Sequence, residues 1–218
     1  SEGLTSKVLN FKSLRDSTRL EDLKNNLAKL KMPRDVEAYM ALDKVIAYFE
    51  ERPEPAKPVI PWNHAINWDR LKLVTQQTTV TIETAKGNIV LEFLPHVAPG
   101  SVGNFLELAS TGFYTGKNFH RIVPNFVAQG GCPRGDGYGA LDYTIRSEIG
   151  LEWYDRAGYI GMASAGPDTE GTQFFFTHSP TPHLDGKYTI FGKVKSGMDI
   201  VDQLQPGDVM DKVTVKYQ

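Results

Sequence analysis

The stretch Thr78-Thr-Val-Thr-Ile-Glu-Thr-Ala-Lys-Gly-Asn-Ile-Val-Leu-Glu-Phe93 decides the fold class. Val80 and Ile82 alternate with Thr and Glu, Ala85-Lys-Gly-Asn88 supplies a turn, and Ile89, Leu91 and Phe93 alternate again. A period of two sends successive side chains to opposite faces, so the stretch reads as a β-hairpin with one apolar face. Strand-like runs recur at Phe119–Val123, Phe126–Gln129, Tyr159–Ala163, Gln173–Thr177, Thr189–Val194 and Lys212–Tyr217. Two segments switch to helical spacing. Ser101–Ser110 puts Val102, Phe105, Leu106 and Ala109 on one face, with Gly112 placed to cap it, and Met198–Leu204 fits a second, shorter helix. Eight short strands, two helices and glycine-rich turns predict a mainly β fold: a closed eight-stranded antiparallel barrel capped by two helices, since closure removes the exposed edges of an open sheet.

The 218-residue chain upstream of this hairpin has another character. Of 20 glycines, Gly3 is the only one before Gly87. Residues 1–52 read as an α-helical hairpin, with Leu20, Leu23, Leu27 and Leu30 in one run and Val36, Tyr39, Met40, Ile46 and Phe49 in another. Thr18-x-x-Glu21 has the form of a capping box, and Pro33 stands where a second helix could begin. Such a hairpin buries too little surface to stand alone, so it is expected to pack on something, as the end of a helical repeat array or against a protein partner or parent chain. Residues 53–77 form a connector: Pro53, Pro55, Pro58 and Pro61 forbid helix and favour extended chain, and Trp62 and Trp68 are expected to dock it. The barrel domain is assigned to residues 78–218.

Charge and composition remove several function classes. Twenty-four Lys and Arg against 26 Asp and Glu give a net charge of −2, with no polybasic run for a nucleic-acid backbone. A composition of 40% hydrophobic and 23% charged residues predicts a soluble globular protein. No apolar run approaches the ~20 residues of a membrane span, and no secretory signal is evident. The first residue is Ser rather than Met, so the absent signal does not establish a compartment: cytoplasm and periplasm both stay open, as does membership of a longer chain. The lone Cys132 excludes an internal disulfide and a cysteine-based zinc cluster.

Searches for reactive motifs return mostly negatives. The loop Gly130-Gly-Cys-Pro-Arg-Gly-Asp-Gly-Tyr-Gly139 lacks Gly-Lys-Ser/Thr and the strand–GxGxxG–helix context of a nucleotide site. His178 and His183 are separated by Pro180 and Pro182 and lack acidic partners at ligand spacing, so metal binding is not expected. Ser164 and Ser179 sit in no nucleophile elbow. What remains is Phe119-His-Arg-Ile-Val-Pro-Asn-Phe-Val-Ala-Gln-Gly-Gly131, in which a period of two puts Phe119, Arg121 and Val123 on one face and Phe126, Ala128 and Gly130 on another. Spacing alone favours a half-buried hairpin with an exposed arginine.

This block, the run Met162-Ala-Ser-Ala-Gly-Pro-Asp-Thr-Glu-Gly-Thr-Gln-Phe-Phe175 and the run Leu184-Asp-Gly-Lys-Tyr-Thr-Ile-Phe-Gly192 together resemble the cyclophilin family of peptidyl-prolyl cis/trans isomerases, in bacterial flavour. The resemblance spans about residues 78–217. It implies an isomerase acting on proline-containing peptides and unfolded chains, a folding helper, with no metal or cofactor and its groove on the outer wall of the barrel. Residue by residue, Arg121 matches the catalytic arginine and Gln129 its supporting glutamine. Phe126, Val127, Phe175 and Leu184 match the proline pocket, Ala163, Ser164, Ala165 and Gln173 the strip that binds substrate backbone, and Gly135 the neighbouring loop. Val127 replaces a usual methionine, Ser164 a common asparagine, Tyr188 a common histidine and His183 a frequent tryptophan. That tryptophan goes with tight cyclosporin binding, so weak cyclosporin binding is expected. The second reading is a peptide-gripping module or scaffold with little turnover, to which the helical hairpin recruits a partner.

Overall fold

The computed structural model describes residues 17–60 and 63–217. Two helices in contact come first, α1 (Ser17–Leu27) and α2 (Val36–Glu50). The side chain of Thr18, and with it the capping box, lies outside the described residues, as does Trp62. α2 starts at Val36 rather than at Pro33, which sits in the preceding turn. There the Asp35 carboxylate accepts a hydrogen bond from the Lys31 backbone N–H at 2.8 Å. α2 ends on Glu51 in the left-handed conformation (φ 60°), two residues before Pro53, and residues 53–60 run on without helix.

Among the described residues of the connector, the contacts that hold it come from groups other than Trp68. Trp68, in the one-turn helix α3 (Trp68–Leu71), is 60% exposed. Asn63 and His64 donate backbone hydrogen bonds to the Thr144 carbonyl (3.2 and 3.1 Å), the His64 ring stacks on Tyr143 at 4.1 Å, and Leu71 packs on the next helix at Gly103.

Eight antiparallel strands follow: β1 (Thr79–Thr84), β2 (Gly87–Phe93), β3 (Phe119–Val123), β4 (Val127–Gly130), β5 (Tyr159–Met162), β6 (Phe174–Thr177), β7 (Ile190–Ser196) and β8 (Lys212–Lys216). Their order is β3-β4-β6-β5-β7-β2-β1-β8. Helix α4 (Pro99–Ser110) lies between β2 and β3, and the one-turn α5 (Met198–Val201) between β7 and β8. The expected closed barrel is corrected to an open, curled half-barrel, because β3 and β8 share no ladder. The loop leading into β8 occupies that seam instead: Phe119 N–H donates to Asp208 O, Gly207 N–H to Phe119 O and Met210 N–H to Lys117 O, each at 2.8 Å. These bonds occupy the start of the β3 edge without bringing β8 alongside.

The alternation in β1 and β2 places Val80, Ile82, Ile89 and Leu91 fully buried inside the curl, against Phe105 of α4 and Phe174, Phe176 and Phe191 of the sheet. Pro99 starts α4 without losing a hydrogen bond. A distant carboxylate completes its first turn: Glu148 accepts from the Gly100 and Ser101 backbone N–H groups at 2.9 and 2.8 Å and from the Ser101 hydroxyl at 2.9 Å. At the other end Gly112 (φ 77°) takes the left-handed conformation that caps the helix, as the sequence predicts, while the Phe113 N–H bonds Leu108 O.

A second carboxylate is sealed within the sheet's support. Glu170 is fully buried, and its carboxylate accepts from the Thr189 hydroxyl at 2.8 and 3.0 Å and from Ser147. Burial raises its carboxyl to about 8, against the smaller lowering effect of its hydrogen bonds. A raised carboxyl means that the folded protein holds a proton the unfolded chain releases, so this stability is full below the unfolded value near 4.5 and is lost as pH climbs through 8. Glu170→Gln, which keeps the shape and removes the charge, is expected to gain in thermal midpoint relative to the parent between pH 5 and pH 8.5. Melting curves in which the difference does not change with pH would contradict the assignment.

Candidate functional site

The site begins with an irregularity in the β3–β4 ladder. Phe119 pairs with Gly130, but Arg121 pairs with Gln129, so two steps along β3 match one along β4 and His120 is the extra residue of a β-bulge. Strict alternation would put Phe119 and Arg121 on one face. The bulge instead leaves Phe119 fully buried in the inner core and turns Arg121 to the exposed outer face beside Gln129. This corrects the period-two reading of the stretch. Phe126 likewise does not share the face of Ala128 and Gly130: it precedes β4, after the left-handed Asn125 (φ 58°), and packs with the outer cluster. Regular alternation resumes in β4 and β6, where Ala128, Phe174 and Phe176 point into the core and Val127 and Phe175 point out.

The glycines after Gln129 are steric requirements. A Cβ on Gly131, which adopts φ 83°, would stand 2.5 Å from the Thr172 carbonyl oxygen. Close approach here brings the start of β6 against the end of β4 and so sets Gln173 beside Gln129.

On the outer face, Val127, Tyr154, Tyr159, Phe175, Leu184 and Ile190 form a second apolar cluster, separate from the inner core, with Phe126, Ala163 and Tyr188 packed against it. Leu184 ends a short 3-10 turn (Pro182–Leu184) that lays it over the sheet. A cavity of about 160 Å³ opens on this cluster, walled by Phe126, Val127, Phe175, Leu184, Ala163 and Tyr188, with Ser164, Arg121 and Gln129 at its polar margin. Arg121 Nη1 donates to Gln129 Oε1 at 3.4 Å, and the guanidinium carbon is 5.9 Å from the Phe126 ring centre. Gln129 Nε2 in turn donates to Gln173 Oε1 at 3.0 Å, and Gln173 Nε2 to the Gly137 and Gly139 carbonyls at 3.0 and 3.1 Å. An unbroken chain of amides therefore runs from the arginine to the glycine-rich loop.

The remaining expected site residues lie close by. Gln173 is buried under the amide chain. Gly135 (φ 74°) is tied by its carbonyl to Asn118 in that loop. Ala165 lines an adjacent cavity of about 320 Å³ together with Ser164, Tyr188 and Lys57 of the connector. The His183 ring packs on Phe126 at 5.1 Å and is otherwise exposed. Sequence reading missed one member of the 160 Å³ cavity, Glu37 of α2, whose carboxylate accepts a hydrogen bond from Gln173 Nε2 at 3.3 Å. Nothing in the spacing of the helical segment marks it, because the contact bridges 136 positions.

Size does not pick out this place. A cavity of about 610 Å³ lies between the connector and α4, lined by His64, Trp68, Asn104, Arg146 and Glu148 among others, but it has no arginine–amide chain over an apolar cluster. Among the described residues no three His, Cys, Asp or Glu side chains gather as a metal site, and no helix is long and apolar enough to cross a membrane. The outer-face groove offers a rigid apolar socket with a fixed, permanently charged donor at its rim, suited to gripping a ring and donating hydrogen bonds beside it.

Residues 79–218 match the family described as cyclophilin type peptidyl-prolyl cis-trans isomerase/CLD. The chain is 50% identical over 129 residues to peptidyl-prolyl cis-trans isomerase B of Bacillus subtilis, covering 59% of this chain and 90% of that protein. It is 47% identical over 136 residues to a peptidyl-prolyl cis-trans isomerase of Helicobacter pylori, covering 61% and 83%. The fold superposes on a cyclophilin type isomerase of Cryptosporidium parvum solved in the presence of the dipeptide Ala-Pro. There the TM-score is 0.61, the sequence identity 32%, and the coverage 64% of this chain and 99% of that one.

Proposed function

The chain belongs to the cyclophilin-type peptidyl-prolyl cis-trans isomerase family, and from that premise we propose that the outer-face groove is the catalytic site, with Arg121 as its catalytic residue. The activity is the cis/trans isomerisation of X-Pro peptide bonds. The observation that carries the site assignment is the guanidinium of Arg121, held by Gln129 at the rim of the Phe126–Phe175–Leu184 socket.

The chemistry explains why so few reactive groups suffice. Amide resonance raises a barrier of about 18–20 kcal/mol to rotation, while the cis and trans ends of an X-Pro bond differ by only about 0.5–1 kcal/mol. No bond breaks, so the protein needs only to bind the twisted amide better than either planar form. In the twisted amide the prolyl nitrogen recovers a lone pair that resonance withholds in the planar ends. A proline ring seated against Phe126, Phe175 and Leu184 is a fixed anchor, and the carbonyl before it swings about the C–N axis. Arg121 donates toward the prolyl nitrogen and the proline carbonyl, favouring the lone pair withdrawn from resonance. A planar fork with a permanent charge does this better than a flexible ammonium. Gln129 acts as a positioning residue: as a neutral amide it aims the guanidinium without neutralising it.

Ala163, Ser164, Ala165 and Gln173 are assigned to the strip that receives the substrate backbone ahead of the proline, with Gly135 supporting the adjoining loop. Val127 and Tyr188 complete the socket, Val127 with less volume than a methionine. Proline-containing peptides and unfolded chains are the proposed substrates, and assistance to folding the proposed role. The reading as a scaffold with little turnover is not favoured, since a grip alone has no need of an arginine aimed by a chain of amides.

Arg121→Ala is expected to keep the fold, because Arg121 is exposed, and to lose most turnover of an Ala-Pro peptide in exchange NMR. A folded variant with near-normal turnover would remove the assignment. His183 offers a smaller, more polar surface beside Phe126 than a tryptophan would, so weak cyclosporin binding is proposed. His183→Trp should tighten cyclosporin inhibition by about tenfold or more, the order expected when a large aromatic contact worth at least 1.4 kcal/mol is added. An unchanged inhibition curve would show that position to be idle.

A further inference from the structure

The helical hairpin lies outside the family match, yet it supplies one wall of the groove. Val36 is buried at the start of α2, Arg34 lies 3.7 Å from Asp142, and Lys57 of the connector passes beside Gly166. These contacts set the first turn of α2 against the end of the groove where Gln173 lies. Glu37, on that turn, shares the 160 Å³ cavity with Arg121 and Gln129 and accepts from Gln173 Nε2 at 3.3 Å. With the proline ring on the Phe126–Phe175–Leu184 side and the backbone strip leading to Gln173, the residues that precede the X-Pro bond extend toward Glu37.

We propose that Glu37 is a specificity-determining residue contributed by the hairpin, favouring X-Pro segments that carry lysine or arginine ahead of the bond and disfavouring acidic ones. The proposal rests on the groove assignment made above. A carboxylate half withdrawn from water and holding one long hydrogen bond has unused acceptor capacity, which an incoming ammonium or guanidinium satisfies through a charge-assisted bond. An incoming carboxylate meets like charge in the same confined space, which is discrimination by repulsion as well as by attraction. Burial raises the Glu37 carboxyl to about 7, the Gln173 hydrogen bond works against this, and the charge on Asp136 adds to it.

The other charged and titratable groups around the site are Arg121 and Tyr188, which line the cavity, Arg134, which pairs with Asp136 at 2.8 Å, and His120, which burial keeps below its usual range. Arg34 and Asp35 lie on the hairpin itself, just ahead of α2. Because Glu37 ionises as pH rises through about 7, selectivity for basic over acidic segments grows in that direction.

The test uses the full chain and three end-blocked peptides, Lys-Ala-Pro-Phe, Ala-Ala-Pro-Phe and Glu-Ala-Pro-Phe, with exchange NMR for turnover and NMR titration for affinity. At pH 8 the lysine peptide is expected to exceed the glutamate peptide by about tenfold in kcat/KM, as for one charge-assisted contact. The ratio should shrink at pH 6. Glu37→Gln, near-identical in shape, should bring the peptides to within about twofold of one another at both pH values. Equal use of the peptides by the parent protein, or a Glu37→Gln variant that speeds all three by one factor, as removal of a simple plug would, overturns the proposal. Affinity separates the two readings: lysine-over-glutamate ranking in affinity without turnover would support Glu37 while removing catalysis by Arg121, and normal turnover with equal affinities would remove Glu37 alone.

Discussion

The β-bulge at His120 is the constraint on which the site depends. Phe119 fills the inner core and Arg121 faces solvent, two residues apart on one strand, and only an extra residue in the ladder lets both be true. The bulge is held from both sides. The Phe119 backbone is tied to Asp208 and Gly207 across the seam of the half-barrel, and Arg121 is tied to Gln129 across the ladder. The open seam and the site are thus linked: the loop that replaces a β3–β8 ladder also fixes the residue from which the arginine's direction is set.

The sheet has two apolar faces with different tasks. Its inner face packs the phenylalanines of β6 and β7 against α4 and carries the stability of the domain. Its outer face collects Val127, Phe175 and Leu184 into a smaller cluster left partly open, the cost of which is borne by the larger core. Along β6 the two sets alternate residue by residue, Phe174 and Phe176 inward and Phe175 outward, so the socket is built on the same strand that anchors the core behind it. Rigidity is what a site that must hold a ring still while a neighbouring bond turns requires.

Much of this was legible in the chain. The alternation of Val80, Ile82, Ile89 and Leu91, the capping glycine at Gly112 and the helical spacing of residues 20–49 each rest on local rules, and each element stands within a few residues of its expected place. The bulge was not legible, because period-two reading assumes one residue per rung and nothing in Phe119-His-Arg marks the second. The open seam of the half-barrel was not legible either, since it turns on a loop, residues 207–210, whose hydrogen bonds are to residues 117–119, some 90 positions earlier. Trp68 is 60% exposed, and in the same segment the contacts of Asn63 and His64 to Thr144 and Tyr143 tie the connector to the domain. Glu37 belongs to the same class: its place in the groove is a tertiary fact of helix docking, without any trace in the helix itself.

The account's central claim is that X-Pro peptides bind on the outer face around Arg121, and a heteronuclear NMR titration with a short Ala-Pro peptide tests it most directly. The predicted result is a set of saturable shifts on Arg121, Phe126, Gln129, Phe175 and Leu184, with little change around His64 and Trp68. Shifts confined to the larger cavity between the connector and α4, with the outer-face residues unmoved, would contradict it.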